Sequence, residues 1–370
     1  MAVGANDTVN VAVIGLGWPG QRHLDGYAKV PFVRVGAVCD AAEPLLESTQ
    51  ARLGGGVRAV RDYREVLAMP DIDAVSVCLP NFLHAQISID ALAMGKHVLC
   101  EKPLANTLAE GQRLADAVAA SDRVFMLALN NRFRVEIQAV KRIVDAGELG
   151  HVYYAKTGWV RRRAVNIVRG WFLEKAKSGG GPMIDLGVHM LDLTLWLMGN
   201  PKATRVSGAV YDLLFRELRE RTDTNVDVED FAAAMIHLDN GAAIHLETSW
   251  ASFIEKEYVF SQLQGTRGGV LYERGTNANG RTAEHYPPFT VFGTIGGENV
   301  NATPTDVSLT NEQMLFASFE NEMHHFAECV RDRAEPIATA AQGLEILRIL
   351  DAVYRSAEEG REIVLVRDGR

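Results

Sequence analysis

Lys102, Asp185 and His189 are the residues whose types and settings best suit acid–base chemistry in this chain. Lys102 lies in Glu101-Lys102-Pro103, directly after His97–Cys100, an apolar run that reads as a strand. Its ammonium can donate to an oxygen and stabilise an alkoxide as it forms. Asp185 and His189 stand four residues apart in Met183–Met198, which reads as a helix beginning near Pro182. That spacing puts both on one helical face. Asp192 shares the face and is expected to support it from behind. A carboxylate beside an imidazole orients and tunes a group whose ordinary pKa is already near neutrality. The same face could hold a metal ion, but no further His or Cys set accompanies it, so no metal is expected.

A glycine-rich loop gives that chemistry a context. GLGWPG, Gly15 to Gly20, follows the strand-like run Val9–Ile14 and enters a helical segment, Pro19–Lys29. Gly15 permits a tight turn, Gly17 lets the backbone approach a pyrophosphate, and Gly20 allows close helix–strand contact. Trp18 and Pro19 lie between them. Pro19 suits the first helical position, where a missing N–H costs nothing. Asp40 ends the second strand, Val33–Cys39, twenty residues beyond Gly20. A carboxylate there can accept from ribose hydroxyls, and it can also cap the next helix. Ala41 and Ala42 offer no cation to a 2′-phosphate, so NAD is expected and NADP less so. Arg61 and Arg64, after a third strand, are the cations that could swing toward the ribose. With a dinucleotide in place, the chemistry is oxidation of a secondary alcohol. A base takes the hydroxyl proton while hydride leaves carbon for the nicotinamide.

The elements that position these groups follow from texture. Short β-branched runs at Val9–Ile14, Val33–Cys39, Ala74–Leu79, His97–Cys100 and Val124–Leu129 alternate with amphipathic segments. Those segments are Pro19–Lys29, Ala41–Leu53, His84–Met94 and Leu108–Ala120. This pattern predicts an α/β domain, a doubly wound parallel sheet covered on both faces, over residues 1–130. Residues 131–370 predict a second, α+β domain. It opens with helix Val135–Asp145, stopped at Gly147. Longer alternating strands follow at His151–Val160, Phe231–Leu238, Ala242–Ser252 and Tyr258–Gln264, with a turn at Asp239-Asn240-Gly241. The resulting sheet is expected to be large, open-faced and mostly antiparallel. Gly275–Asn301 reads as loop, and helices Glu312–Arg333 and Ala340–Glu359 close the chain.

Two further motifs make the case specific. They are CLPNFLH, Cys78 to His84, and GKHVLCEKPLA, Gly95 to Ala105. With GLGWPG, SGGGPMIDLGVHMLDL (Ser178 to Leu193), FENEMHHFAECV and YRSAEEGREIVL, the chain resembles the Gfo/Idh/MocA oxidoreductases over nearly its whole length. The resemblance implies a Rossmann domain, a second domain with an open-faced sheet, and an active site between them. It implies that His189 is the acid/base group, Asp185 its partner carboxylate and Lys102 a catalytic lysine. It places Leu79, Pro80, Asn81, His84, Glu101 and Asn130 beside the cofactor, and a cis bond between Lys102 and Pro103. Family members act mostly on sugars, cyclitols and their derivatives. Arg161, Arg162, Arg163, Asn166 and Trp171 precede the catalytic helix and are the expected substrate contacts, Arg162, Arg163 and Trp171 foremost.

Bulk properties narrow the partners. The chain is 47% hydrophobic and 23% charged, with net charge -9, which disfavours nucleic acid because phosphate neutralisation needs a basic face. No apolar stretch approaches the ~20 residues that span a bilayer, and the N-terminus lacks a signal-peptide pattern, so no membrane partner and a cytoplasmic location are expected. Cys39, Cys78, Cys100 and Cys329 form no CxxC pair and read as free thiols. An open sheet face must be buried somewhere, so a homodimer or homotetramer is expected. Two other functions remain open: an NAD-recycling enzyme that cleaves glycosides by transient oxidation, and a non-catalytic dinucleotide-binding regulator. The second predicts loss of Lys102 or His189, and both are present.

Overall fold

Apolar strands buried on both sides need helices on both faces, and the N-terminal half supplies them. A computed structural model describes residues 8–54, 56–162, 170–221, 226–275, 288–305 and 310–365, with backbone alone at 218–221 and 275. The chain forms two compact units. The first contains Met1–Phe133 and Leu315–Leu344, the second Arg134–Met314 and Glu345–Arg370.

In the first unit the elements alternate. They run β1 (Val9–Ile14), α1 (Trp18–Tyr27), β2 (Val33–Cys39), α2 (Glu43–Leu53), β3 (Arg58–Val60) and α3 (Tyr63–Leu67). They continue with β4 (Ala74–Val77), α4 (Asn81–Ala93), β5 (His97–Glu101), α5 (Leu108–Ala119) and β6 (Phe125–Ala128). All strands pair in parallel, in the order β3-β2-β1-β4-β5-β6. Every residue of β4, β5 and β6 is buried. The order reverses direction between β1 and β4, which opens a crevice at their C-terminal ends. α4 begins at Asn81 rather than His84, so Asn81 sits in its first turn. Pro80 precedes it as the N-cap residue. α1 starts at Trp18, with Pro19 in its first turn.

The second unit holds α6 (Val135–Asp145), β7 (Val152–Arg162), α7 (Lys175–Ser178), a π-helical turn (Met183–Gly187) and α8 (Val188–Leu197). After these come β8 (Ala203–Tyr211), α9 (Leu213–Arg221), β9 (Phe231–Leu238), β10 (Ala243–Ser252), β11 (Tyr258–Gly265) and β12 (Gly269–Gly275). β13 (Phe289–Ile295) and β14 (Glu298–Ala302) follow. Helices α10 (Asn311–Asp332) and α11 (Ala340–Glu359) lead to the short β15 (Ile363–Val364). The sheet order is β14-β13-β12-β11-β7-β10-β9-β8-β15, antiparallel except for β10 beside β7. Part of Gly275–Asn301, expected as loop, is instead a hairpin. β13 pairs with β14 through Gly296 and Gly297, whose φ values of 61° and 91° suit glycine. Its Thr- and Asn-rich strands lack the apolar alternation that marks a half-buried strand.

One face of this sheet carries α8. Thr157 Oγ1 of β7, which donates to the Phe260 carbonyl, lies 3.5 Å from the Met190 carbonyl oxygen of α8, and Thr194 of α8 meets Ser261 of β11 at 2.9 Å. Strand alternation therefore sends Lys156, His245, Glu247, Phe260 and Gln262 to the opposite face, where all are only partly buried. The apolar members of the alternation, such as Ile244, Leu246 and Leu263, are fully buried. The face away from α8 is consequently mixed in polarity, not the apolar surface that the alternation suggested.

Candidate active site

The turn between β1 and α1 is built by what its glycines lack. A Cβ on Gly15 would meet the Cys78 carbonyl oxygen at 2.2 Å, and one on Gly20 would meet the Gly15 carbonyl oxygen at 1.9 Å. Gly15 also has a φ of 94°. At Gly17 the nearest neighbour would be Pro19 at 4.0 Å, so the backbone there is open to a close-approaching group. Helix geometry leaves the first-turn N–H groups of Trp18 and Gly20 without intrahelical acceptors, which suits a pyrophosphate. Asp40 locks the arrangement: its Oδ2 accepts the Leu16 N–H and its Oδ1 the Ala42 N–H, each at 2.8 Å. These residues fit a dinucleotide. Arg61 donates to the Ala41 carbonyl at 3.2 Å and lies 3.4 Å from Glu43, while Arg64 pairs with Asp62. Trp18, 59% exposed, meets Phe319 of α10 edge-on at 5.6 Å.

Lys102 stands at the end of β5, followed by a cis bond to Pro103. Its backbone N–H donates to Glu101 Oε2 at 3.1 Å, and Glu101 Oε1 lies 3.2 Å from His23 Nε2. Burial raises the Glu101 pKa, but the His23 ring and Lys102 outweigh it and carry it below the ordinary range. His84 is fully buried, with Nδ1 2.7 Å from the Pro103 carbonyl and Nε2 2.7 Å from that of Leu79. It therefore staples the turn after β4 to the turn after β5. Burial pulls its pKa down, and the two carbonyls oppose that pull. Asn130 Nδ2 donates to Ser318 at 3.4 Å.

In the second unit, Asp185 occupies the π-helical turn and His189 the first turn of α8. Isolated π turns within helices recur at functional sites. The glycines before it explain how the helix starts. A Cβ on Gly180 would meet the Tyr354 hydroxyl at 2.0 Å, and one on Gly181 the Glu229 carbonyl oxygen at 2.2 Å. Into that space comes the buried Glu229 carboxylate. It accepts the N–H groups of Gly181 at 2.8 Å and Met183 at 3.0 Å, and the Tyr354 hydroxyl at 2.9 Å. Glu229 thus serves as an N-terminal cap delivered from elsewhere in the chain.

Around this helix start stands an aromatic wall. Trp250, fully buried, donates its indole N–H to Asp185 Oδ2 at 3.0 Å. Trp159 lies 5.9 Å from the His189 ring, centroid to centroid. Trp171 stacks on Phe172 at 3.9 Å, and Phe172 meets Trp250 edge-on. Asp192, 1% exposed, lies further along α8. Among the described residues no three His, Cys, Asp or Glu side chains gather as metal ligands.

Of the expected substrate contacts, Arg163 and Asn166 lie outside the described residues. Arg162 is exposed at the end of β7, where alternation turns it away from the Trp159 side. Arg161, two residues from Trp159, faces that ring, its guanidinium carbon 5.2 Å from the centroid. Trp250, Glu229, Tyr354, Glu257 and Arg274 escaped sequence reasoning. Only sheet register places Arg274 abreast of Trp159, through Val259.

Comparison with known proteins agrees with this architecture. Residues 9–129 match the family domain described as oxidoreductase family, NAD-binding Rossmann fold, and residues 141–365 its C-terminal alpha/beta domain. Levoglucosan dehydrogenase of Pseudarthrobacter phenanthrenivorans is 27% identical, over 94% of this chain and 96% of its own. D-glucoside 3-dehydrogenase of Escherichia coli is 27% identical, over 96% of this chain and 97% of its own. A solved levoglucosan dehydrogenase in complex with NADH shares the fold, with a TM-score of 0.84 over 98% of this chain and 100% of that one, at 23% identity. The two domain matches together span nearly the whole chain, which therefore belongs to the Gfo/Idh/MocA family of oxidoreductases.

Proposed function

We propose that the protein is an NAD-dependent dehydrogenase acting on a secondary CH–OH group of a sugar, cyclitol or glycoside. The observation that carries this reading is the Asp185–His189 segment, whose π-to-α start is fixed by Glu229, in a chain that matches both family domains. In it, residues 1–130 hold the dinucleotide and residues 131–370 the alcohol. Gly15, Gly17, Trp18, Pro19 and Gly20 take the pyrophosphate, and Asp40 takes the adenosine ribose. Leu79, Pro80, Asn81, Glu101 and Asn130 border the rest of the cofactor, with His84 holding two of its turns. Bound NAD would supply the hydride acceptor. His189 takes the hydroxyl proton, Asp185 orients its ring, and Lys102 stabilises the developing alkoxide. Asp40 disfavours a 2′-phosphate by like charge, so NADP is the poorer cofactor. Relatives of both kinds exist, including scyllo-inositol 2-dehydrogenases of Bacillus subtilis named for NAD(+) and for NADP(+).

A sugar and polyol panel with NAD and NADP, followed by the absorbance of the reduced nicotinamide, tests this reading. Lys102→Ala is expected to lower kcat by at least ~100-fold with little change in dinucleotide affinity. Turnover without net NADH release would favour the recycling alternative, and a Lys102→Ala variant with near-normal kcat would refute the lysine's role. No described helix is long and apolar enough to cross a membrane. We further infer a cytoplasmic homodimer or homotetramer joined through the sheet face away from α8, where mixed polarity suits a partner's surface. Light scattering that gives a monomer mass at micromolar concentration would overturn the assembly.

A further inference from the structure

Trp159 is the hub of a charged cluster that the catalytic reading leaves unused. The guanidinium carbons of Arg161 and Arg274 lie 5.2 and 5.0 Å from its ring centroid. The Trp159 indole N–H donates to Glu257 Oε1 at 2.6 Å, and Arg161 Nε is 3.6 Å from the same oxygen. Neighbouring strands build the group: β7 carries Trp159 and Arg161, Glu257 precedes β11, and β12 carries Arg274. Trp159 in turn neighbours His189.

Among the described residues the charges of this cluster do not balance. Glu257 is already engaged by Trp159 and Arg161. Arg134, a further cation that faces Arg274, is matched by Glu136 at 2.5 Å. Arg274 makes no hydrogen bond or ion pair with any described residue, so among these residues one guanidinium charge is in excess. Burial, with Arg134 nearby, outweighs the opposing pull of Tyr272, Glu136 and Glu257 and lowers the Arg274 pKa, although a guanidinium stays protonated throughout the working range. A partly desolvated cation with no directly bonded carboxylate among the described residues is costly, and an arriving anion reduces that cost. A single excess charge matches a carboxylate better than a phosphate dianion. The planar guanidinium also suits two parallel bonds to a carboxylate.

We propose that Arg274, seconded by Arg161, is the subsite for a substrate carboxylate, so that the alcohol oxidised beside His189 belongs to an acidic sugar such as a uronate. This rests on the assignment of His189 to the catalytic site.

The test compares methyl glucoside with methyl glucuronide as substrates of the whole protein with NAD, in the unmodified enzyme, Arg274→Gln and Arg274→Lys. Calorimetry of methyl glucuronide with the NADH-loaded protein runs alongside. The glucuronide is expected to show kcat/KM at least ~30-fold above the glucoside. Arg274→Gln should bring that ratio toward one and weaken glucuronide binding at least ~10-fold, and Arg274→Lys should fall between. An unmodified enzyme that uses the glucoside as well as the glucuronide, or an Arg274→Gln variant that slows both equally, overturns the subsite. If Arg274→Gln does not fold, glucuronate must still inhibit the unmodified enzyme competitively, and failure to do so is equally decisive. Turnover of neutral sugars without discrimination would overturn the subsite and leave the dehydrogenase standing. Binding that depends on Arg274, without turnover of any sugar, would do the reverse.

Discussion

Replacing Glu229 should damage both stability and catalysis, although it lies 44 residues beyond Asp185 in sequence. Its carboxylate is buried and accepts two backbone N–H groups at the start of the π-helical turn that leads into α8, and the Tyr354 hydroxyl. Glu229→Ala strands the N–H groups of Gly181 and Met183 away from water, and each stranded donor costs about 1–3 kcal/mol. The loss of about 2–6 kcal/mol is a large part of a typical folding stability of about 5–15 kcal/mol. Glu229→Gln is the gentler probe. Its amide oxygen can satisfy one of the two N–H groups while its NH2 faces the other, for a cost of about 2–3 kcal/mol. Tyr354→Phe removes one neutral partner and should cost about 1 kcal/mol. Urea unfolding followed by tryptophan fluorescence reads the stability, and steady-state kinetics at saturating NAD reads the site. A helix start displaced by a fraction of an ångström should lower kcat about 10- to 100-fold in Glu229→Gln, with the cofactor Kd unchanged. The graded order Glu229→Ala, Glu229→Gln, Tyr354→Phe should hold in both measurements. A Glu229→Gln variant with native midpoint and native kcat would refute the claim that Glu229 caps and places this helix.

Two further outcomes are expected in the first unit. Burial, aided by Arg123, holds the His97 pKa down at about 4, and its Nδ1 accepts the Val124 N–H at 2.9 Å. The folded pKa is depressed, so this stability is fully present above the unfolded value of about 6.5 and is lost as pH falls through 4, about 3 kcal/mol at most. Unfolding midpoints at pH 7.5, 5.5 and 4 should fall accordingly, and an equal fall in His97→Gln would exclude His97 as the cause. Asp40→Ala removes the acceptor of the Leu16 N–H as well as the ribose contact. NADH affinity should drop about 10- to 100-fold while NADPH loses less, because the like-charge repulsion goes too. Fluorescence titrations giving an unchanged Kd for NADH would show that Asp40 does not reach the ribose.

Much of this molecule was legible from local pattern. β1, β2, α6, β9 and α11 begin and end where periodicity puts them, because each buries one continuous set of apolar side chains. GLGWPG announced the tight turn, since only glycine fits where a Cβ would strike the Cys78 and Gly15 carbonyls. Lys102, Asp185 and His189 were visible as residue types at telling positions. The polar β14 carries too little periodicity to be read, and the hairpin β13–β14 reads as loop from sequence. Local pattern also could not show that a π turn leads into α8, or that Glu229, distant in sequence, caps its start. Register decided the rest. Whether Arg161 or Arg162 faces the aromatic wall turns on one residue of strand phase, and Arg274 reaches Trp159 only through strand pairing. Near neighbours in the chain are enough to reveal the strands of strong apolar periodicity, the phosphate turn and the acid–base residue types. Which distant carboxylate caps the start of that helix, and which cation no described residue pairs, follow only from the folded chain, because they depend on which side chains become neighbours in space.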